Sequence, residues 1–243
     1  MKWADHRRIT LEICRYYELP ESKETAEMSV LPDKEPDYYL HYGRKRIYRR
    51  RVPHHETMSV ETAFNYLIQA RKRFISGMSF AEPLGRALHY LQDYSVDPTE
   101  SIWIFKYRSD EAHEEREGVL KSIPVDFRAV EEAKKLICHP HEFKSTVYNT
   151  KRGRTPEEIM GACSFLTSLA IKLILDPDKP ENLEGNYNRA LLIHFVAVVL
   201  PWIIVAFNTS FAVLSAILSY VVHKLDFNYS KWKIDYKWFE VNR

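Results

Sequence analysis

The feature that most constrains this chain is an apolar segment near its carboxyl end. Ala190 to Phe207 is a run of 18 residues with one ionisable side chain, His194. Asn208-Thr-Ser210 interrupts the run, and Phe211 to Val222 continues it with 12 apolar or small residues. As one straight helix the whole segment would extend about 50 Å, whereas a bilayer core is about 30 Å thick. The sequence therefore predicts a transmembrane helical hairpin that turns at Asn208–Ser210.

The residues that flank the apolar segment are basic and aromatic. Arg189 precedes it, and four lysines and a cluster of aromatic residues follow it. Basic residues at both ends predict that both ends face the cytosol, and the aromatic tail is typical of a membrane interface. A buried helix pair in a soluble protein and a helical dimer interface are the alternatives. The residues after the segment are Lys224, Phe227, Tyr229, Lys231, Trp232, Lys233, Tyr236, Lys237, Trp238 and Phe239.

The rest of the chain is typical of one helical, cytosolic domain. We expect that domain to cover residues 1–180, followed by the hairpin at 181–225 and the aromatic, basic tail at 226–243. Seven glycines in 243 residues favour helices over turn-rich β architectures. The start of the chain has no apolar leader, which predicts that it is not secreted. Three cysteines without a CxxC pair exclude a disulfide framework and a zinc finger.

Hydrophobic periodicity divides the first 180 residues into helices and loops. It predicts helices over about 9–18, 60–76, 83–94, 126–138 and 155–175, and another that starts at Asp110. Thr155-Pro-Glu-Glu158 is a strong helix start, since it combines a cap, a proline and acidic residues in the first turn. Residues 20–38 contain three prolines and are predicted to form a loop.

Two histidine–acid pairs carry the chemistry. His89 and Asp93 are four residues apart, and His113 and Glu117 repeat that spacing. Positions i and i+4 of a helix share one face, so the two side chains of each pair can bind the same metal ion. A surface ion pair is the alternative for each pair taken singly. Two pairs on successive helices predict a multi-metal site that hydrolyses a phosphate ester.

A family resemblance sharpens this prediction. Gly85-Arg-Ala-Leu-His-Tyr-Leu-Gln-Asp93 resembles the G-x-x-L-H-Y-x-x-D motif of the zinc-dependent phospholipase C and single-strand nuclease superfamily. The resemblance implies an all-α, multi-helix phospholipase C-like bundle with two or three zinc ions in a cleft. It also implies phosphate ester cleavage by a metal-activated water. By the order of its motifs, the likeness covers about residues 1–120.

The same resemblance assigns roles to individual residues. Asp93 would bridge two metals and His89 would join it, while His113 and Glu117 would hold the second metal. The family also uses an upstream aspartate and a later histidine, for which this chain offers two alternatives each. We prefer Asp33 and His54 to Asp37 and His55 as metal ligands, and either aspartate would orient or deprotonate the attacking water.

The chain departs from the family pattern at two places. Trp3 and His6 resemble the family's amino-terminal tryptophan and nearby metal-binding histidine, but two residues precede Trp3. The family histidine that follows the loop proline would fall near Thr99, and this chain offers Asp97 or Glu100 there instead. An oxygen-rich site would accept Mn, Mg or Fe beside Zn. The alternative is the loss of one metal.

Three further features have more than one interpretation. Arg44–Arg51 carries six basic residues in eight, which fits a solvated loop, a patch for anionic lipid, or attraction of phosphate. His139 and His141 lie one residue apart and are weaker candidates for metal ligands. His194 is predicted to make an interhelical contact.

The combined prediction is a membrane-anchored, metal-dependent phosphoester hydrolase whose substrate is a phospholipid or lipid phosphate at the cytosolic face. A single-strand nuclease or nucleotidase of the same superfamily is one alternative, and nucleic acid would then be the partner. A non-catalytic membrane scaffold with a degenerate metal site is the other, favoured by Thr99 in place of histidine.

Overall fold

The protein is mostly helical and divides into two compact units. Its structure, a computed structural model, describes residues 1–43, 46–97, 99–102, 105–108, 120–226 and 228–239. Helix accounts for 71% of it, which confirms the helical prediction. The first unit is Met1–Cys138 with Glu142–Pro177, and the second is His139–His141 with Asp178–Arg243.

Within its described residues, the first unit contains eight α-helices and two antiparallel β-hairpins. The hairpins pair β1 with β2 and β3 with β4. The helices are α1 (Trp3–Tyr16), α2 (Ser22–Met28), α3 (Leu31–Lys34), α4 (Thr57–Ile75), α5 (Ala81–Tyr94), α6 (Phe127–Lys135), α7 (Phe143–Asn149) and α8 (Pro156–Leu175). The strands are β1 (Tyr38–Tyr42), β2 (Ile47–Arg51), β3 (Thr99–Ile102) and β4 (Phe105–Arg108).

Helix α5 is the centre of the first unit. Every residue of α5 except Glu82 is buried, because the helix packs against α2, α4 and α8. Gly85 brings α5 unusually close to α2: a Cβ atom at this position would lie 2.6 Å from Met28 Cβ and 2.7 Å from the Thr25 carbonyl oxygen. The helix that carries His89 and Asp93 is therefore enclosed by protein.

A capping box starts α8, as its sequence predicts. The Thr155 hydroxyl accepts a hydrogen bond from the Glu158 backbone N–H at 3.2 Å, and the Glu158 carboxylate accepts from the backbone of Thr155 and Arg154. Lys151, which bonds the same carboxylate at 2.7 Å, and these backbone donors lower the pKa of Glu158 to about 2.

Replacing Thr155 with alanine removes one half of this box. We expect the free energy of unfolding to fall by about 1 kcal/mol, and the melting temperature by about 2–4 °C, because a backbone donor in the first turn loses its acceptor. Thermal unfolding in detergent measures the shift. Thr57→Ala, at the exposed first residue of α4, is the control and should change stability by less than about 0.5 kcal/mol. Equal shifts in both variants would contradict the capping role.

Several sequence predictions about this unit are wrong. Residues 20–38, predicted as a loop, contain α2, α3 and the start of β1. The basic run, for which a solvated loop is one of three interpretations, provides strand β2 from Ile47 onward. Aromatic residues in Tyr38–Tyr42 favour a strand, but they occupy both faces, so the sequence lacks the alternation of apolar and polar residues that would indicate one.

The second unit contains the apolar hairpin and a further helix. Its helices are α9 (Leu183–Val199), α10 (Ile203–Phe207), α11 (Ala212–Leu225) and α12 (Tyr229–Phe239). Helix α9 packs against α11 and α12. The described part of the tail predicted at 226–243 is largely helical, because it contains α12. The Asn208 side chain accepts from the Ser210 N–H at the predicted turn. The predicted contact of His194 is made with His223 of α11, at 3.0 Å between ring nitrogens.

The first leg of the hairpin breaks around Pro201, and two serines of the second leg bind the break. Ser219 Oγ donates to the Val198 carbonyl and Ser215 Oγ donates to the Pro201 carbonyl, both at 2.7 Å. Proline has no N–H and interrupts the helical hydrogen-bond ladder. The two serine bonds join the second leg to the first at this interruption.

Two helices of the described chain are long and apolar enough to cross a membrane. Pro156–Leu175 has 72% of its apolar window buried inside the protein, whereas Leu183–Val205 has only 11% buried. A third candidate span consists of Thr209–Leu225 and Tyr229–Phe239, which meet at a bend of 57°. Since protein covers most of the first helix, Leu183–Val205 is the stronger candidate for a membrane span.

Candidate metal centre

Three histidines and two aspartates lie close together around the C-terminal half of α5. His89 and Asp93 come from α5 itself and are buried. Helix α1 contributes His6, α3 contributes Asp33, and the segment between β2 and α4 contributes His54. Two sets of three have all their ligand atoms within 4.8 Å of one another: His6, Asp33 and His89, and His54, His89 and Asp93.

The ring of His89 is held in one orientation. Its Nδ1 donates to the Ser29 carbonyl at 2.8 Å, so Nε2 carries the lone pair and lies 3.3 Å from Asp93 Oδ2. Burial, with His6 beside it, lowers the pKa of His89 well below its ordinary range. The ring is therefore neutral at physiological pH, as a metal ligand must be.

The ring of His6 is fixed in the same way. Its Nδ1 donates to Gln92 Oε1 at 2.6 Å, and the Gln92 amide is oriented because its nitrogen donates to the hydroxyls of Thr10 and Thr167. His6 Nε2 is buried, lies 3.3 Å from Asp93 Oδ1, and makes no hydrogen bond to any residue that the structure describes. In the neutral ring this buried nitrogen presents its lone pair to the carboxylate.

These two imidazoles could hold a cation together with the neighbouring aspartates. Their rings stack with centroids 4.3 Å apart, and both Nε2 atoms face the same carboxylate. Lone pairs that face a carboxylate in a buried site repel it unless positive charge lies between them. Imidazole nitrogen and carboxylate oxygen are ligands that Zn, Mn and Fe accept, so the residues fit a divalent metal.

Asp93 supplies the negative charge of the centre. Burial alone raises the pKa of its carboxyl, but the Met1 ammonium at 2.9 Å and the hydrogen bond from His54 hold that pKa well below its ordinary range. His54 Nδ1 donates to Asp93 Oδ2 at 2.7 Å. A cation bound between His54, His89 and Asp93 would take the place of that proton.

The rim of the centre is formed by Asp33, Trp3 and Arg51. Trp3 Nε1 donates to Asp33 Oδ2 at 3.0 Å, and the guanidinium of Arg51 lies 3.6 Å from Asp33 Oδ1 and 3.5 Å from His54 Nε2. Trp3 therefore orients a carboxylate through its indole. Asp33 is 24% exposed and Arg51 is 50% exposed, so both reach solvent.

Asp37, the alternative to Asp33, is hydrogen-bonded to residues outside the cluster. Its carboxylate accepts from the hydroxyls of Tyr66 and Tyr90, at 2.6 and 2.8 Å, and from Arg86 at 3.2 Å. These donors occupy the oxygens that a general base would need, so the geometry favours Asp33. His55 Nδ1 donates to the backbone carbonyl of Asp93 at 2.7 Å, and among the described residues His55 belongs to neither set of three candidate ligands.

The remaining candidates either lie outside the described residues or are paired with other residues. His113 and Glu117 lie outside the described residues, as do the side chains of Thr99 and Glu100. Asp97 forms an ion pair with Arg154 at 2.8 Å. In the second unit, His141 donates to the buried Asp235 at 2.6 Å, and His139 bonds the Asp178 carbonyl. These pairings explain Asp97, His139 and His141 without a metal.

Sequence reasoning missed the residues that orient the ligands. Gln92 and Ser29 fix the tautomers of His6 and His89. Arg51, which borders the rim, belongs to the basic run that the sequence links to phosphate attraction. Gln92 did leave a signal, because it is a polar residue inside an apolar helix and must find partners when buried.

The residues of this cluster could therefore hold a divalent cation. Comparison of the chain with protein-family models, with curated proteins and with solved structures finds no match in any of the three.

Proposed function

We propose that this protein is a metal-dependent phosphoester hydrolase. One observation carries the proposal: two imidazoles with fixed tautomers present lone pairs to a buried, ionised carboxylate. The motif in Gly85–Asp93, which resembles the zinc-dependent phospholipase C and nuclease superfamily, supports it. Zinc is the metal that we propose first, in two or three ions as the family implies, because imidazole and carboxylate are its usual ligands; Mn, Mg or Fe are alternatives.

The residues divide the chemistry between holding the cation and handling the substrate. His6, His54, His89 and Asp93 would hold it. A bound divalent cation supplies a Lewis acid for phosphate oxygens and lowers the pKa of a water molecule. Asp33, exposed at the rim and oriented by the Trp3 indole, is the carboxylate placed to accept a proton from attacking water.

The proposed substrate is a phospholipid or a lipid phosphate. The exposed apolar helix Leu183–Val205 supports this choice, since it would keep the chain at a bilayer. Basic residues on both sides of the hairpin, Arg189 before it and Lys224 after it, favour a cytosolic location for the first unit. Arg51 at the rim offers a planar donor group to a phosphate oxygen.

A non-catalytic scaffold is the second candidate. It is favoured by the hydrogen bond between His54 and Asp93 and by the Met1 nitrogen beside Asp93, because these contacts supply Asp93 with partners from the chain itself. In that case the cluster would stabilise the first unit and have no turnover.

Metal content and turnover of the full chain separate these candidates. The protein purified in detergent is measured by elemental analysis and assayed with a chromogenic phosphodiester, phosphatidylcholine, phosphatidic acid and single-stranded DNA. We expect bound metal, and lipid turnover that falls with metal content in His89→Ala. His41→Ala, a histidine replacement on β1, is the control and should retain both. Metal without turnover on any substrate favours the scaffold, and turnover on DNA alone favours the nuclease. Metal-free wild-type protein that does not take up Zn or Mn would end the proposal.

A further inference from the structure

The β1–β2 hairpin carries an apolar face that no described part of the first unit covers. Alternate residues of a strand share a face, so Tyr38, Leu40 and Tyr42 point the same way. The antiparallel register places Arg51, Arg49 and Ile47 opposite them. Leu40 is 57% exposed and Tyr42, next to the tip, is 72% exposed. A hairpin that displays such side chains in water needs a partner surface.

Positive charge follows the same hairpin. Arg46, Arg49, Arg50 and Arg51 lie within six consecutive positions, and all four are exposed. The guanidinium of Arg49 lies 4.8 Å from the ring centroid of Tyr38, so cations and aromatic rings occupy one face together. Tyrosine and arginine together are typical of side chains at the headgroup level of a bilayer.

We propose that the β1–β2 hairpin docks onto an anionic lipid surface. Its tip residues Tyr42 and Ile47 would enter the headgroup layer, and Arg46 and Arg49 would contact lipid phosphates. The charge complementarity of arginine and anionic lipid favours this partner. The same chain carries the exposed apolar helix Leu183–Val205, and only five residues connect Pro177 with Leu183, so the first unit would be tethered to a bilayer that this helix enters.

Docking would also bring lipid headgroups to the candidate metal centre. Arg51, the last residue of β2, contacts Asp33 and His54 at its rim. The base of the hairpin therefore borders the centre. The inference does not rest on the proposed hydrolase, because docking needs neither a metal nor turnover.

An environment-sensitive fluorophore at the hairpin tip tests the proposal. Cys14, Cys138 and Cys163 are all buried, so Tyr42→Cys provides a selective labelling site in the full chain. The labelled protein is reconstituted into vesicles of phosphatidylcholine alone or mixed with phosphatidylserine. We expect a blue-shifted emission, quenched by lipid-borne spin labels, in the anionic vesicles. Arg46→Gln with Arg49→Gln should lower the ratio of docked to undocked hairpins by about 30-fold.

The matched control is the same label at Met78→Cys, which lies after the Gly77 turn of the same unit and is 57% exposed. It should report water in both vesicle types. A Tyr42 label that reports water in anionic vesicles overturns the proposal, and so does a response to single-stranded DNA without one to lipid. Repeating the measurement in an Asp93→Asn background separates docking from catalysis, since docking should persist there.

Discussion

Replacing Asp93 with asparagine should remove the bound metal and lower phosphoester turnover by at least about 1,000-fold. Asparagine keeps the shape of the side chain and one oxygen acceptor, but it loses the charge that the lone pairs of His6 and His89 face across 3.3 Å. A metal contributes several kcal/mol to transition-state stabilisation, and about 1.4 kcal/mol corresponds to a factor of ten.

Three measurements on one preparation check this result. Elemental analysis gives metal per chain, a phosphodiester assay gives turnover, and thermal unfolding with and without a chelator gives metal-linked stability. A ligand present at 1,000 times its dissociation constant stabilises the folded state by about 4 kcal/mol, so the chelator should destabilise the wild type and leave Asp93→Asn unchanged. Asp97→Asn is the control, since Asp97 pairs with Arg154. Full metal content in Asp93→Asn would contradict the assignment.

Replacing Gly85 with alanine should destabilise the first unit by about 1–3 kcal/mol. The new Cβ would lie 2.6–2.7 Å from atoms of Thr25 and Met28, and backbone atoms of α2 are among them, so the two helices must separate. The Ser29 carbonyl that holds His89 follows α2 directly. We therefore expect weaker metal binding as well as a lower melting temperature.

Gly161→Ala in α8 is the matched control. A Cβ atom there meets only Asp126 Oδ2 at 3.4 Å, and alanine in a helix is more stable than glycine by about 0.5–1 kcal/mol. Chemical or thermal unfolding compares the stability of the two variants, and metal titration compares their metal affinity. A Gly85→Ala protein as stable as Gly161→Ala would show that α2 and α5 have room to adjust.

The sequence predicts helices well and tertiary pairings poorly. The spacing of His89 and Asp93 follows from helix geometry, so their shared face could be predicted without the fold. The preference for Asp33 over Asp37 could not be derived in this way. Asp37 accepts hydrogen bonds from Tyr66 of α4 and from Arg86 and Tyr90 of α5. These contacts depend on how the helices pack, which the sequence does not reveal. The same holds for Gln92, whose partners Thr10 and Thr167 are 82 and 75 residues away.

Other predictions concern segments whose signal is weak or which lie outside the described chain. The helix expected from Asp110, with His113 and Glu117, falls on residues that the structure does not describe. The strands at Tyr38–Tyr42 and Ile47–Arg51 lack the alternation of apolar and polar residues that marks a half-buried strand, since none of their residues is fully buried.

The serine bonds at the Pro201 break bear on how the hairpin enters a membrane. Ser219 and Ser215 of α11 find the Val198 and Pro201 carbonyls as acceptors only when both legs are together. A leg that entered lipid alone would lose these bonds, and an unsatisfied polar group in hydrocarbon costs several kcal/mol. Stepwise insertion of α9 followed by α11 is therefore disfavoured, and the two legs should insert as one preassembled element.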